Sequence, residues 1–403
     1  MFTKPNIEAG GCPNVSVEFY APPTDKGGCN NISVVFEPIG KNDDCGLIFW
    51  KTEIHGTVEI EGEPKPEYMP DDKICIDNVS HPITPPNTFE EDFEFSFKTF
   101  RTRDKIKLIR AENAHISEIP TRLDIIESLY LYGNDFDDKT IPPLRDSSLT
   151  HLDLGQNELV GGIPSLPVNL IHLVLKYNHY LGGSIPILPM PLEHINIEQC
   201  ALIGGLHNFP PLLKHINMKY NNLTGNISTL PTPLEYLDLS HNELDGNIPT
   251  FADNLEYVDL RFNALTGSIS IFPQSIKYVD LTDNELTGQI PTIPLNLEYL
   301  KIGQNQLTGQ IPTLPDSLTH LNVTNNQLTA FTDSGLSSCA AFYAVGNQLD
   351  VQSVDLILQK LSENSATDGE CVLYGGDMGI PTNTAAIDTL RGRGWNVMVE
   401  GGY

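Results

Sequence analysis

An asparagine-centred pattern recurs down most of this chain with a period of 21 residues. From residue 234 the text runs LEYLDLSHNEL, then LEYVDLRFNAL, IKYVDLTDNEL, LEYLKIGQNQL and LTHLNVTNNQL. Asn221, Asn242, Asn263, Asn284, Asn305, Asn326 and Asn347 each follow the last by 21 residues. Upstream, Asn113, Asn134, Asn157, Asn178 and Cys200 keep the beat with small slips. A unit this short cannot bury its apolar face alone, so successive units must stack into a solenoid. Such a chain offers one long, regular face for binding and no closed catalytic pocket.

Each unit can be read physically. Its x-L-x-L-x centre predicts a short strand with inward leucines, and strands of successive units stack in parallel. The Asn side chain turns inward and satisfies backbone groups where the chain leaves the strand; each such group left unpaired would cost about 1–3 kcal/mol. Cys200 can stand in the ladder because a thiol is a small, weak donor. Cys339 occupies an inward leucine position, and both cysteines read as buried thiols. The outer half of each unit, as in LTGQIPTLPDS, carries prolines that favour extended backbone and exclude a regular helix.

The flanks differ. Near the N-terminus GGCPNVSVEFYAPP is echoed by GGCNNISVVFEPIG, with β-formers after each cysteine. Val15, Val17 and Phe19, then Ile32, Val34 and Phe36, then Leu47, Ile48 and Phe49 predict strands, as do Val58–Ile60 and Phe93–Phe97. The Pro- and Asp-rich segment from Pro64 to Pro86 is expected to be loop. Cys12, Cys29, Cys45 and Cys75 leave one or two disulfides open. Repeats begin near Lys105, with Arg110 at a leucine position, as suits an atypical terminal unit. After Asn347, the spacing of Val354, Ile357, Leu358 and Leu361 predicts a helix with Ser353 as N-cap. A strand at Cys371–Tyr374, a helix from Thr384 to Arg391 and a strand at Trp395–Val399 come next. They are expected to extend the parallel sheet as a cap.

The units LPDSLTHLNVTNNQL and LPTPLEYLDLSHNEL resemble leucine-rich repeats of bacterial type, and LTGQIP at Leu286 and Leu307 is similar to the plant-type repeat. The tail, NQLDVQSVDLILQKLSENSATDGECVLYGG with LRGRGWNVMVEG, resembles the cap of repeat proteins from bacteriophages and bacterial surfaces. The repeat resemblance implies a mainly β fold: a leucine-rich-repeat solenoid of parallel strands with an extended convex side. The expected divisions are an N-terminal β-rich docking domain at 1–104, the solenoid at 105–349 and an α/β cap at 350–403.

The acids outnumber the bases by 52 to 24, for a net charge of −28. That argues against nucleic acid and anionic membrane surfaces as partners. No apolar stretch is long enough to span a membrane, and MFTKPNIEAGG shows no secretory signal, so no membrane insertion is expected. N-x-S/T triplets, as at Asn14, Asn31, Asn222 and Asn322, are therefore expected to be chance matches. No nucleophile elbow, zinc-protease helix, phosphate loop or dinucleotide fingerprint occurs, so neither catalysis nor a cofactor is expected. Ser240, His241 and Asp238 are close in sequence but do not read as a triad. An enzyme hidden in residues 1–100 is the contrasting alternative.

The candidate site lies on the strand face. The position before the second leucine reads His151, His172, His194, His215, Tyr236, Tyr257, Tyr278, Tyr299 and His320. Two positions on stand Asp238, Asp259 and Asp280, expected to face solvent and to be balanced by Lys277, Arg261 and Lys301. Further out lie Lys176, Glu198 and Lys219, then Tyr177, Tyr220 and Phe262. Two readings stay open. The rings form a contact strip for a protein or sugar chain, or they stabilise the sheet by stacking on their neighbours. No ligand set completes a metal site around the histidines. The tail resemblance, with no export signal and no catalytic motif, implies a virion component, on tail or head. Its repeats are expected to meet a host envelope protein or glycan, and residues 1–104 other virion proteins. The alternative is a bacterial cell-surface or extracellular adhesin or effector.

Overall fold

The computed structural model describes residues 126–332 and 335–402, Ile119, and the backbone of several strands before residue 111. Contacts divide the chain into two compact units, Met1–Leu202 and Ile203–Tyr403.

In the first unit, Val15–Tyr20 pairs antiparallel with Asn31–Phe36 on one side and Thr57–Glu61 on the other. Phe93–Glu94 pairs with Glu53–Ile54. The expected loop at 64–86 is corrected: Lys73–Ile76 and Val79–Pro82 form an antiparallel pair inside it. The strand expected at Leu47–Phe49, the side chains of the four N-terminal cysteines and Asn113 lie outside the described residues. Leu108–Arg110, Ser128–Tyr130, His151–Asp153, His172–Val174 and His194–Asn196 then run as parallel neighbours, one per turn.

The second unit continues the one-strand-per-turn plan. His215–Asn217, Tyr236–Asp238, Tyr257–Asp259, Tyr278–Asp280, Tyr299–Lys301, His320–Asn322 and Ala341–Tyr343 pair in parallel, each residue facing its counterpart in the next turn. The outer half of the turn is extended, as the prolines require. In places it closes into further parallel sheets, such as Thr287–Gln289 with Gln306–Ile311 and Gln327–Phe331. Pro294 accepts a hydrogen bond from Leu297 N at 3.3 Å and Pro315 one from Leu318 N at 3.1 Å, so the proline opens the turn that returns to the strand. Gly246 sits at φ +72°, where the side chain of Asn226 occupies the space a Cβ would need. Only glycine fits there.

The core of each turn is a set of apolar side chains. In a representative turn Leu255, Val258, Leu260, Leu265, Ile269 and Phe272 are all buried. Each such side chain contributes about 1.5–3 kcal/mol of transfer free energy. The asparagine ladder holds these turns in register. Asn305 Nδ2 donates to Leu281 O at 2.9 Å, Ile302 O at 3.2 Å and Gly303 O at 3.0 Å, while its Oδ1 accepts from Leu286 N at 3.0 Å. Asn157, Asn178, Asn242, Asn263, Asn284, Asn326 and Asn347 repeat the bond to the preceding turn's carbonyl. Asn134 and Asn221 bond carbonyls within their own turn. Cys200 takes the ladder position with Sγ 3.1 Å from Leu175 O, and burial pushes its thiol up to about 12.

The tail is an α/β cap. Helix α1 (Val351–Glu363) is capped by Asp350, whose carboxylate accepts from Ser353 N at 2.8 Å, not by Ser353 as the sequence suggests. Ser353 is buried, and its hydroxyl accepts from Phe331 N at 2.9 Å, serving the last repeat instead. Glu370–Leu373 pairs in parallel with Ala341–Tyr343, and Asn396–Val399 with Glu370–Leu373. Helix α2 (Thr384–Gly392) lies between those last two strands in sequence, capped by Asn383. Cys339 and Cys371 are fully buried among these elements.

Asn305→Ala removes one acceptor and one donor set from a buried site. We expect a loss of about 3 kcal/mol, since each stranded backbone group costs about 1–3 kcal/mol. Urea unfolding of the variant beside the parent measures it; an unchanged midpoint would mean that the ladder carries no stability.

Candidate functional site

Within the strand x-L-x-L-x the leucines turn inward, so the residues between them share the opposite face. In the first unit this places His151, His172 and His194 in one row. His172 stacks on His194 with centroids 4.2 Å apart, and His151 lies 5.8 Å from His172. Burial, and then the neighbouring His151, hold the His172 imidazole below its ordinary range. Lys176 lies 5.5 Å above the rings of both Tyr132 and Tyr177.

In the second unit His215, Tyr236, Tyr257, Tyr278, Tyr299 and His320 form the corresponding row. Successive centroids are 4.2, 4.4, 4.5, 5.8 and 4.5 Å apart. Four of these pairs are stacked, and Tyr278–Tyr299 is tilted by 38°. The row is half-buried along its length and ends where Ala341 takes the register position after His320. Each ring pair contributes about 0.5–1.5 kcal/mol beyond its buried area. The stacking reading is therefore physically real. It leaves the outer part of each ring accessible.

The acidic column departs from expectation. Asp238, Asp259 and Asp280 do not face open solvent; each is only 2 % exposed. Their Oδ1 atoms accept the backbone N–H two residues on, from Ser240, Arg261 and Thr282, each at 3.1 Å. Asp153, Asn196, Asn217 and Asn322 make the same bond, so this column favours Asp or Asn for a local turn. The second oxygens meet cations at longer range. Lys219 lies 3.5 Å from Asp238, and Arg261 lies 3.5 Å from both Asp259 and Asp280. Lys301 is 3.9 Å from Asp280. Lys277 is not among them, because it pairs with Glu256 at 2.7 Å in the neighbouring column. Ser240 Oγ donates straight to Asp238 at 2.7 Å, with no imidazole between them.

A third row is harder to foresee. Tyr220, His241 and Phe262 stack at 4.2 and 4.4 Å. They precede the ladder asparagines and sit at φ +55°, +54° and +54°, a region that non-glycine residues seldom enter. Backbone bonds to the next turn hold them there: Tyr220 N to Ser240 O at 3.0 Å, His241 N to Arg261 O and Phe262 N to Thr282 O at 2.9 Å. Tyr220 and Phe262 are about two-fifths exposed, at 41 % and 39 %. His241 belongs to this row; the available sequence signal was its position one residue before Asn242.

Two stretches, 148–170 and 233–253, match the family model described as Leucine Rich Repeat. The fold is a leucine-rich-repeat solenoid. Among solved structures, the chain is similar to the plant peptide hormone receptor RGFR1 in complex with RGF2, at 24% identity and a TM-score of 0.54. That match covers 69% of this chain and 52% of the receptor. YopM from Yersinia enterocolitica WA-314 matches at 25% identity and a TM-score of 0.50, over 60% of this chain and 56% of YopM. The chain thus spans little more than half of either structure. No curated protein matches it by sequence. Among the described residues, no group of His, Cys, Asp or Glu could hold a metal ion, and no helix is long and apolar enough to cross a membrane.

Burial, and then the flanking Asp238 and Asp280, raise the Asp259 carboxyl from 3.8 to about 7, against the opposing pull of Arg261. The folded repeat thus holds a proton that an unfolded aspartate has released. The stability that this group contributes is full below 3.8 and is lost as pH rises through about 7. Asn keeps the acceptor for Arg261 N and carries no charge. Asp259→Asn is therefore expected to raise the thermal midpoint relative to the parent at about pH 8 and much less at about pH 5. Equal shifts at both would show that Asp259 is ionised throughout.

Proposed function

We propose that this chain is a non-enzymatic recognition protein whose leucine-rich repeats present their strand face to a protein on a host-cell envelope. One observation carries the reading: partly exposed rings stand in register on strand after strand, flanking a recessed polar column. Rigid, amphipathic side chains in such an array supply contact area at low entropic cost. The fold admits this use, since the plant receptor is solved in complex with RGF2.

The finer proposal places the chain on the surface of a bacteriophage particle, at tail or head, assembled in the host cytoplasm. Residues 1–104 would dock it to other virion proteins, 105–349 form the blade and 350–403 close its end. Support comes from the resemblance of the tail to caps of phage repeat proteins. The reading requires no cofactor, no nucleic acid and no membrane insertion. A second reading, a bacterial cell-surface or secreted repeat protein, is supported by the similarity to YopM from Yersinia enterocolitica.

Mass spectrometry of purified particles from the source culture separates the two. Stoichiometric presence in particles is the expected result, and presence only on cells or in medium supports the second reading. For the face itself, Tyr257→Ala combined with Tyr278→Ala is expected to weaken attachment of the purified chain to host cells by ~10-fold or more. Protease treatment of the cells should abolish attachment. Loss after glycosidase treatment instead would make the partner a glycan.

A further inference from the structure

His320 ends the ring row of the second unit with one face unstacked. Tyr236, Tyr257, Tyr278 and Tyr299 each have a ring on both sides, whereas His320 meets Tyr299 on one side and Ala341, in the next strand, on the other. The strand after that brings Glu370 to the same register position. Strands stand about 4.8 Å apart, so His320 and Glu370 are about 9.6 Å apart at the backbone with only a methyl between them. A planar group stacked on His320 at the 4.5 Å of the Tyr299 pair would lie over that methyl. Ala341 is 6 % exposed, as suits a methyl at the foot of two taller side chains.

The walls of this slot define what fits it. Thr319 Oγ1 lies 2.8 Å from His320 Nδ1 and fixes the ring. Burial, and then Lys301, hold the imidazole below its ordinary range, so the open face is that of a neutral ring at neutral pH. Lys301 itself is engaged with Asp280 and the Tyr278 ring. On the far wall Glu370 is held by two neutral donors: Tyr343 Oη donates to Oε2 at 2.6 Å and Asn396 Nδ2 to Oε1 at 3.0 Å. Among the described residues no cation lies within ion-pair distance of Glu370, and its side chain is half-buried where the Asp column is covered. Two accepted bonds leave a free lone pair on each carboxylate oxygen. A guanidinium suits both walls, because it is planar, stacks on aromatic faces and presents a fork of N–H donors that matches a carboxylate. An ammonium has no face to stack, an anion would be repelled by Glu370, and a phenyl ring would leave Glu370 without a counter-charge.

We infer that the slot over Ala341 seats one arginine side chain of the partner protein, its guanidinium stacked on His320 and donating to Glu370. The inference rests on the binding-face reading and adds an anchor at the end of that face. Val372 and Met398 follow Tyr343 in the neighbouring column, so apolar surface flanks the pair. Water is held back there, and a charge-assisted hydrogen bond is stronger for it.

The test is fluorescence anisotropy of the full chain with labelled peptides Gly-Ser-X-Ser-Gly, where X is Arg, Lys, Trp or citrulline, which keeps the shape of arginine without its charge. The Arg peptide is expected to bind ~10-fold more tightly than the other three. Ala341→Tyr fills the slot and should abolish that preference, and thermal melts establish that each variant is folded. His320→Ala should weaken the Arg peptide by about 2- to 10-fold. Glu370→Gln still accepts from Tyr343 and should bring the Arg peptide down to the citrulline level. Asp388→Asn, on the exposed side of α2, removes the same charge and should change nothing. Should Ala341→Tyr not fold, His320→Ala and Glu370→Gln decide the matter. Equal weakening by Asp388→Asn and Glu370→Gln would mean that the peptide only adsorbs to an acidic protein. Unchanged binding to a folded Ala341→Tyr, or no binding of the Arg peptide at all, would overturn the slot. Equal binding of the citrulline peptide, or tighter binding of the Trp peptide, would overturn the arginine. Attachment to host cells keeps the two readings apart. Loss in the Tyr257→Ala, Tyr278→Ala variant but not in Ala341→Tyr removes the slot and leaves the face; loss in neither removes the face.

Discussion

The inward asparagine side chain is the interaction on which the rest depends. A turn of about 21 residues must leave its strand, cross the core edge and return, and at that corner its carbonyls have no sheet partner. One primary amide satisfies donors and acceptors in two turns at once, as Asn305 does with Leu281, Ile302, Gly303 and Leu286. Because the bonds run between turns, each asparagine also sets the register of its neighbour. The alignment of the face depends on that register. Tyr257 lies over Tyr278, and Asp259 beside Asp280, because the corners below them are locked.

The residues on the face serve stability and exposure together. Ring stacking at 4.2–4.5 Å is a genuine source of stability, and so is the turn bond made by each Asp or Asn. Neither function consumes the outward edge of the rings. Buried carboxylates in adjacent turns are another matter. Three of them in a row raise the free energy of the folded state unless cations or a proton compensate, and the shift of Asp259 marks where compensation is weakest. The left-handed backbone recurs at the residue before each ladder position, at Gln156, Tyr177, Gln199, Tyr220, His241, Phe262, Asp283, Gln304 and Asn325.

Much of this was legible in the sequence. Period, ladder, inward leucines and the first ring row can be read from spacing alone, because each turn copies the geometry of the last. What was not legible depends on neighbours in space. The burial of Asp259 depends on the packing of adjacent turns, which no single repeat reveals. Ser353 looks like an N-cap, yet its hydroxyl is claimed by Phe331 N, and Asp350 caps the helix instead. The strand pair within 64–86 was hidden by its proline- and aspartate-rich context, although Asp77–Asn78 between two β-forming runs is a turn signal.

The end of the ring row at Ala341 gives the face a length. From His215 to His320 the row crosses six strands of the second unit. At a spacing of about 4.8 Å between strands it measures roughly 24 Å. An extended polypeptide advances about 3.3–3.6 Å per residue, so the row is as long as about seven extended residues. The number of repeats bearing rings thus sets the length of the face, and adding or deleting one such repeat would change it by about 4.8 Å.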